Sequence, residues 1–536
     1  MKNKELTLIM IISALFVAFY NISFFRNISA IYDIKENFIY YISIIIALFS
    51  FSVFFFSLLS SSYTTKPLLI LVVLISSGTA YFMDNYNIVI DNTMITNIIE
   101  TNLAETSDLL SLKLFLYILF LGIFPAIFIY KFKINYPKLK TRILSKLKTL
   151  AIFLLIIVVI MFSFSKFYTS FFREHKHLRY SINPFYWMYN IGDFTVKSLK
   201  GGSGKFLKLG EDAVIIETND KNNKNNQKKE LVIVVVGEAA RADHFSLNGY
   251  DRETNPLLKQ ENIINFKNFT SCGTTTAVSV PCMFSSLTRE NFNNDKFKNQ
   301  DNVLDILNRA GVKVLWRDNN SDSKGVATRM EYEDFRTSQN NKVCEDGECR
   351  DIGMLDGLDK FINKNKDKDI LIVLHQMGNH GPAYYKRYPK EFEKFTPVCD
   401  SNDLQKCDQQ NIINAYDNAI LYTDYFLSKV IKFSKKYSAK YQNAVIYISD
   451  HGESLGENNI YLHGLPYAIA PKAQKNVGAF IWLDKNFYDV DRKKLEEKVK
   501  NGEFSQDYLF HTLLSIFEIK SEIYDKNLDI LDGTKK

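Results

Sequence analysis

The stretch KELVIVVVGEAARAD, residues 229–243, sets six consecutive aliphatic residues directly before a glycine and a glutamate. A run this short, and this rich in β-branched side chains, reads as a strand buried on both faces. A half-exposed strand would alternate with polar residues instead. Four similar runs follow: VKVLW (312–316), ILIVL (370–374), AVIYIS (444–449) and VGAFIWL (477–483), with helical patterning between them. Strands alternating with helices argue for a mostly parallel sheet covered by helices on both faces.

In such a sheet, ligands bind beyond the carboxyl ends of the strands. Glu238 follows the first run, and Asp450 and His451 follow the fourth. HQMGNHGP, containing His380, follows the third, and the later loop NNIYLHG supplies His463. One carboxylate after a strand is more often a helix cap, and one histidine beside a glycine is usually a loop residue. Two carboxylates and three imidazoles on one rim form a mixed oxygen and nitrogen donor set, which suits Zn²⁺ before Mn²⁺. His175, His177 and His511 fall in a basic boundary segment and in a helix-like stretch, and read as structural.

SCGTTTAVSVPC, residues 271–282, holds three threonines between two cysteines. A threonine hydroxyl is a weak nucleophile at neutral pH; a bound metal lowers its pKa and offsets the charge of an anionic substrate. The following TAVSVPCMFSSL reads as the start of a helix, whose free N–H groups favour phosphate.

All six cysteines lie after residue 270. An even count confined to that part indicates disulfides in an oxidising compartment. Six cysteines allow fifteen pairings, and the short gaps favour Cys272–Cys282, Cys344–Cys349 and Cys399–Cys407. None of the gaps has the spacing of a structural zinc knuckle.

The first 165 residues differ in kind. Five nearly charge-free stretches, 6–25, 38–62, 67–83, 114–130 and 149–165, suit transmembrane helices. No small-residue cleavage site follows FYNISFFR, so the first reads as a crossing too. KFKINYPKLKTRILSKLK (131–148) carries seven Lys or Arg and no acid, which holds that loop and the MKNK terminus on the cytoplasmic side. Five crossings then put everything after residue 165 outside. The net charge of +7 is largely this loop and does not indicate nucleic acid. Residues 84–113 form the longest outward loop, with apolar residues at 95, 98, 99 and 103 expected on an amphipathic helix. Residues 166–230 read as a membrane-surface connecting segment, ending in GGSGK and a polar run, before a soluble domain at 231–536.

VVVGEAARADHFSLNGYDRETNP, SCGTTTAVSVPCMFSSL, WRDNNSDSKGV, HQMGNHGPAYY and SDHGESLGE with LHG closely resemble the membrane-bound phosphoethanolamine transferases that modify lipid A. That family belongs to the alkaline phosphatase and sulfatase superfamily. The resemblance implies an alkaline-phosphatase-like α/β domain in the periplasm, carried by five transmembrane helices in the inner membrane. It implies a catalytic zinc held by Glu238, Thr276, Asp450 and His451, with Thr276 as the nucleophile. His380 and His463 would serve the substrate phosphate or a second zinc. Lys324 and Ser321 match head-group positions, and NIIETNLAE points to Asn97, Thr101 and Glu105. The implied donor is phosphatidylethanolamine, and the acceptor lipid A, a core sugar or another envelope molecule. The rival readings are a phosphoglycerol transferase, a sulfatase and a non-enzymatic membrane sensor. A sulfatase needs a C/S-x-P-x-R motif, which residues 272–289 lack, and a sensor predicts more ionisable residues within the crossings.

Overall fold

Asn21 interrupts the first apolar run, and the backbone turns there. In the computed structural model, which describes residues 4–100, 109–165, 167, 168, 171, 175–201, 206–216, 228–345, 347–487 and 489–536, α1 (Lys4–Phe19) meets α2 (Ile22–Ser29) at a 46° bend. At 1.5 Å per residue the 16 residues of α1 fall short of a hydrocarbon core about 30 Å thick, so a crossing here needs the bent pair. The Asn21 amide stitches the bend to Asn183. It accepts from the Asn183 N–H (2.9 Å) and donates to the Asn183 carbonyl (2.7 Å). Asn183 in turn donates to the Ser76 carbonyl and to Thr79, and the Trp187 indole donates to Ser76 and Asn183. Polar groups buried among membrane helices thus satisfy one another.

Four other helices are long and apolar enough to cross a membrane: α3 (Phe38–Leu59), α4 (Thr65–Tyr86), α6 (Leu112–Lys131) and α7 (Leu139–Ser163). Between α4 and α6 lies α5 (Asn92–Glu100), with Ile98 and Ile99 exposed. The remainder of the expected outward helix, with Thr101 and Glu105, lies outside the described residues. The basic segment expected as a loop is partly helix, because α7 begins at Leu139. Lys and Arg end an apolar run without ending a helix, since both have high helix propensity. Their side chains cap neighbouring helix ends. Lys146 donates to the carbonyls of Leu58 and Ser60 at the end of α3, Lys66 donates to Tyr130 near the end of α6, and Arg142 pairs with Glu5 at 2.9 Å. Cations at C-terminal carbonyls satisfy orphan acceptors and the helix dipole. After α7 the chain forms α8 (Phe185–Gly201).

The chain divides into two compact units, Met1–Ile95 with Leu110–Lys197, and Thr96–Leu109 with Ser198–Lys536. The second is built on a seven-stranded sheet. In chain order its strands are β1 (Lys229–Gly237), β2 (Ile264–Phe266), β3 (Lys313–Asp318), β4 (Glu331–Asp334), β5 (Ile370–His375), β6 (Tyr441–Ser449) and β7 (Ala479–Leu483). The spatial order is β2–β7–β6–β1–β5–β3–β4. Neighbours from β6 to β4 pair in parallel, and β7 pairs antiparallel with both β6 and β2. Val232, Val234 and Val236 of β1 join one apolar cluster with residues of α10 (Val303–Ala310) and α12 (Tyr508–Ile516). The intervening Leu231, Ile233 and Val235 are equally buried and point to the opposite face, where α11 (Gln409–Lys435) packs on β1 and β6. The sheet is therefore covered on both sides.

Register sets up the site. Gly237 pairs with Ser449, Val236 with His375, and His375 with Asp318. Four parallel strands end level, so the residues that follow share one rim.

Candidate active site

Glu238 leaves β1 into a backbone held by Asp450. The Ala239 N–H donates to Asp450 Oδ1 at 3.1 Å, and the His451 N–H donates to the same oxygen at 2.7 Å. Both lone pairs of Oδ1 are thereby engaged, while Oδ2 is buried and has no hydrogen-bond partner among the described residues. The His451 ring is oriented by its own chain. Its Nδ1 lies 2.9 Å from the Gly452 carbonyl, which can only accept, so Nδ1 carries the proton and Nε2 presents a lone pair. That Nε2 is 3.4 Å from Glu238 Oε1 and 3.4 Å from Asp450 Oδ2. Burial pushes the His451 imidazole down to about 4, against the opposing pull of Asp450, so it is neutral and able to ligate.

The three threonines do different work. Thr274 Oγ1 donates to the Leu465 carbonyl and its own carbonyl accepts from Gly464, fixing the loop that bears His463. Thr275, extended at φ −147°, is the N-cap residue of α9 (Thr276–Met283). Thr276 faces the metal donors: its Oγ1 is 3.2 Å from Glu238 Oε2 and 3.3 Å from His451 Nε2. Its side chain begins a helix and is 8% exposed, so the hydroxyl is held where N–H groups point outward. The Cys272–Cys282 bond closes the loop around it. Cys344–Cys349 and Cys399–Cys407 are the other two bridges.

Beside this cluster lies a second. His463 Nδ1 is 3.2 Å from Glu453 Oε2, and the His463 ring stands 4.1 Å from that of His451 and 5.9 Å from that of His380. Glu453 is fully buried, burial pushes its carboxyl up, and its Oε1 has no hydrogen-bond partner among the described residues. His451, Glu453 and His463 form a second set of mutually close donors. Burial, then the charge of Arg387 and the neighbouring imidazoles, hold His380 well below its ordinary pKa; Lys324 adds to that effect. Ser321 is buried on the same 319–325 loop as Lys324. Asn97 lies partly buried on α5.

Three supporting residues were assigned no role from the sequence. Asn320 donates to Glu238 Oε2 at 2.8 Å and to the Gln376 carbonyl at 2.9 Å, aligning the carboxylate toward Thr276. Gly378 sits at φ +49°, and a Cβ there would come 2.9 Å from the Glu238 carbonyl oxygen, so only glycine fits. Gln506 bridges two elements: its Oε1 accepts from the Cys272 N–H at 2.7 Å, and its Nε2 donates to the Ser449 and Asp450 carbonyls. Gln506→Ala leaves three buried backbone groups unpaired. We expect a loss of about 2–4 kcal/mol in denaturant unfolding, because the loop that bears Thr276 loses its tie to β6. Unchanged stability would show that Gln506 braces nothing.

Residues 230–519 match the Sulfatase family model, and residues 48–199 match the model described as phosphoethanolamine transferase EptA/EptB. Phosphatidylethanolamine transferase Mcr-2 of Escherichia coli is 43% identical over 506 residues, which is 93% of this chain and 92% of that protein. Phosphoethanolamine transferase EptA of Escherichia coli (strain K12) is 38% identical over 541 residues, 97% of this chain and 96% of the relative. Among solved structures, the integral membrane protein lipooligosaccharide phosphoethanolamine transferase A from Neisseria meningitidis aligns with a TM-score of 0.94 at 35% identity, covering 99% of both chains.

Proposed function

This chain belongs to the phosphoethanolamine transferases, multi-pass membrane enzymes, and from that premise we propose that it moves phosphoethanolamine from phosphatidylethanolamine to lipid A or another envelope acceptor by way of Thr276. The observation that carries the proposal is the Thr276 hydroxyl within 3.3 Å of both Glu238 and His451, on the rim where Asp450 Oδ2 is buried without a partner.

The residues fit a divalent cation. Two carboxylates, a bare imidazole nitrogen and a hydroxyl converge, with Glu238, Asp450 and His451 donor atoms all within 4.8 Å of one another. Oxygen and nitrogen donors in this proportion suit Zn²⁺. When bound, the ion would lower the pKa of the Thr276 hydroxyl and offset phosphoryl charge. The second donor set, with His463 and Glu453, would take a phosphoryl oxygen or a second ion.

The chain's own residues account for the rest. Thr276 Oγ1 attacks the phosphorus of phosphatidylethanolamine, its proton leaving toward Glu238 Oε2. The bond from phosphorus to the glycerol oxygen breaks, and that oxygen takes up the proton held at Glu238 and leaves as diacylglycerol. Phosphoethanolamine is then an ester of Thr276. The acceptor hydroxyl or protonated phosphate oxygen attacks the same phosphorus and gives its proton to Glu238, which returns it to Thr276 Oγ1 as Thr276 departs. His380 and His463 flank the phosphoryl group, and Lys324 adds positive charge to that side. Donor and acceptor are both confined to a membrane surface, which is the physical reason for a catalytic domain anchored by helices. The catalytic domain would then face the periplasm from the inner membrane.

The purified full-length protein should be incubated with lipid A and, separately, phosphatidylethanolamine labelled in ethanolamine and phosphatidylglycerol labelled in its head glycerol. Label is expected on lipid A only from the first, with one diacylglycerol released per transfer. Label arriving from phosphatidylglycerol instead would replace the proposal with phosphoglycerol transfer.

A further inference from the structure

The membrane unit carries a groove of about 640 Å³ that the chemistry above does not use. Ile44, Leu48 and Phe51 of α3 and Ile157 and Met161 of α7 line it. The two helices run antiparallel: Lys146, early in α7, reaches the carbonyls at the end of α3, and the rings of Phe49 and Phe153 meet at 6.2 Å.

Position along the helices gives the depth. Ile44 lies six residues into α3 and Phe51 thirteen, about 9 and 20 Å from the helix start at 1.5 Å per residue. Met161 is two residues from the end of α7. The groove therefore starts near the water–lipid boundary and reaches about 5 Å past the middle of a core about 30 Å thick, so it lies mainly in one leaflet. It opens at the helix ends opposite Glu5, Arg142 and Lys146. By the charge rule those basic ends are cytoplasmic, so the leaflet is the outer one.

The segment after α7 completes the lining with Arg179, Tyr186 and Tyr189. Arg179 is exposed, its guanidinium lies 5.3 Å from the Tyr180 ring, and it has no carboxylate partner among the described residues. A cation and phenols at the boundary, above an apolar slot mainly in one leaflet, match a phosphodiester joined to an acyl chain.

We propose that this groove binds a glycerophospholipid of the outer leaflet, with one acyl chain between α3 and α7 and its phosphate on Arg179. The proposal stands on the membrane unit alone and survives any outcome at Thr276.

The test uses the full-length protein in vesicles of phosphatidylethanolamine and phosphatidylglycerol, doped with phosphatidylethanolamine bearing a diazirine midway along one acyl chain. After irradiation, cross-linked peptides are located by mass spectrometry. Labelling is expected to concentrate on Leu48, Phe51 and Ile157, over Val159 and Phe120, which are 53% and 57% exposed on outer-leaflet stretches of α7 and α6. Ile157→Trp should cut groove labelling at least about fivefold by filling the slot, and Arg179→Glu at least about threefold by repelling the phosphate. Labelling of Val159 and Phe120 should not change. Even labelling of all five positions, insensitivity to both substitutions, or cross-links between two copies through the groove would each overturn the proposal. Arg179→Glu alters an exposed side chain and decides the matter alone if Ile157→Trp does not fold.

Discussion

Thr276→Ala should abolish phosphoethanolamine transfer, lowering kcat by at least about 10³-fold as loss of an attacking group does in other covalent enzymes, while the protein still folds. The substitution removes one hydroxyl and one methyl at a helix start. Its cost to stability should stay within about 1 kcal/mol: Glu238 Oε2 keeps its bond from Asn320, and His451 Nε2, which loses its Thr276 contact, remains available to Zn²⁺. Glu238, Asp450 and His451 remain, so the variant should still be stabilised by Zn²⁺. Thr276→Ser keeps the hydroxyl and should restore most of the rate. In the wild type, donor supplied without acceptor should leave phosphoethanolamine on the peptide containing residues 272–282, detectable by mass, and none should appear in Thr276→Ala. If the alanine variant transfers at the wild-type rate, Thr276 is not the nucleophile.

Stripping metal from the wild type should abolish activity and lower its thermal stability, and Asp450→Asn should make the stability nearly indifferent to that treatment. Like charges on Glu238 and Asp450, with donor atoms within 4.8 Å, repel by about 3 kcal/mol at an effective dielectric of 20. In metal-free protein the donors on Asp450 Oδ1 and Glu238 Oε2 offset that repulsion in part. The side-chain amide introduced by Asp450→Asn keeps the acceptor that the Ala239 and His451 N–H groups use, and turns the unpartnered oxygen into a donor facing Glu238. Metal-free Asp450→Asn should therefore melt above metal-free wild type. Saturating Zn²⁺, at a thousandfold excess over Kd, adds about 4 kcal/mol to the wild type, on the order of 10 °C in Tm. The variant should gain at most a few degrees and show no transfer. An equal zinc-induced shift in both proteins would remove Asp450 from the metal site.

Much of this was legible in the residues because strand ends are marked twice, by an apolar run and by the polar residue that stops it. Gly237-Glu238 and Ser449-Asp450-His451 carry that mark, and the register of β1 and β6 brings them level. The strands β2 and β4 carry no such mark; they are three and four residues long at the sheet edges, and neither contains an apolar run. The roles of Asn320, Glu453 and Gln506 were not legible, although the first two lie within the quoted WRDNNSDSKGV and SDHGESLGE. Each acts through a hydrogen bond to a residue far away in sequence or across a loop, and such pairing leaves no periodicity. In the membrane half, composition located the apolar runs but not their ends. A lone Asn21 breaks a helix because a partner exists at Asn183, and Lys140 to Lys148 extend one because charged side chains tolerate helical geometry.

The covalent bond between Cys272 and Cys282 has a consequence for when the protein becomes competent. It ties down the ten-residue interval that holds Thr276, at a stabilisation of about 3 kcal/mol for a loop of this order. Thiols stay reduced in the cytosol, so a newly made chain would carry Thr276 on an untethered arm until export. Closure of this bond then waits for an oxidising compartment, and the loop around Thr276 gains its tether there.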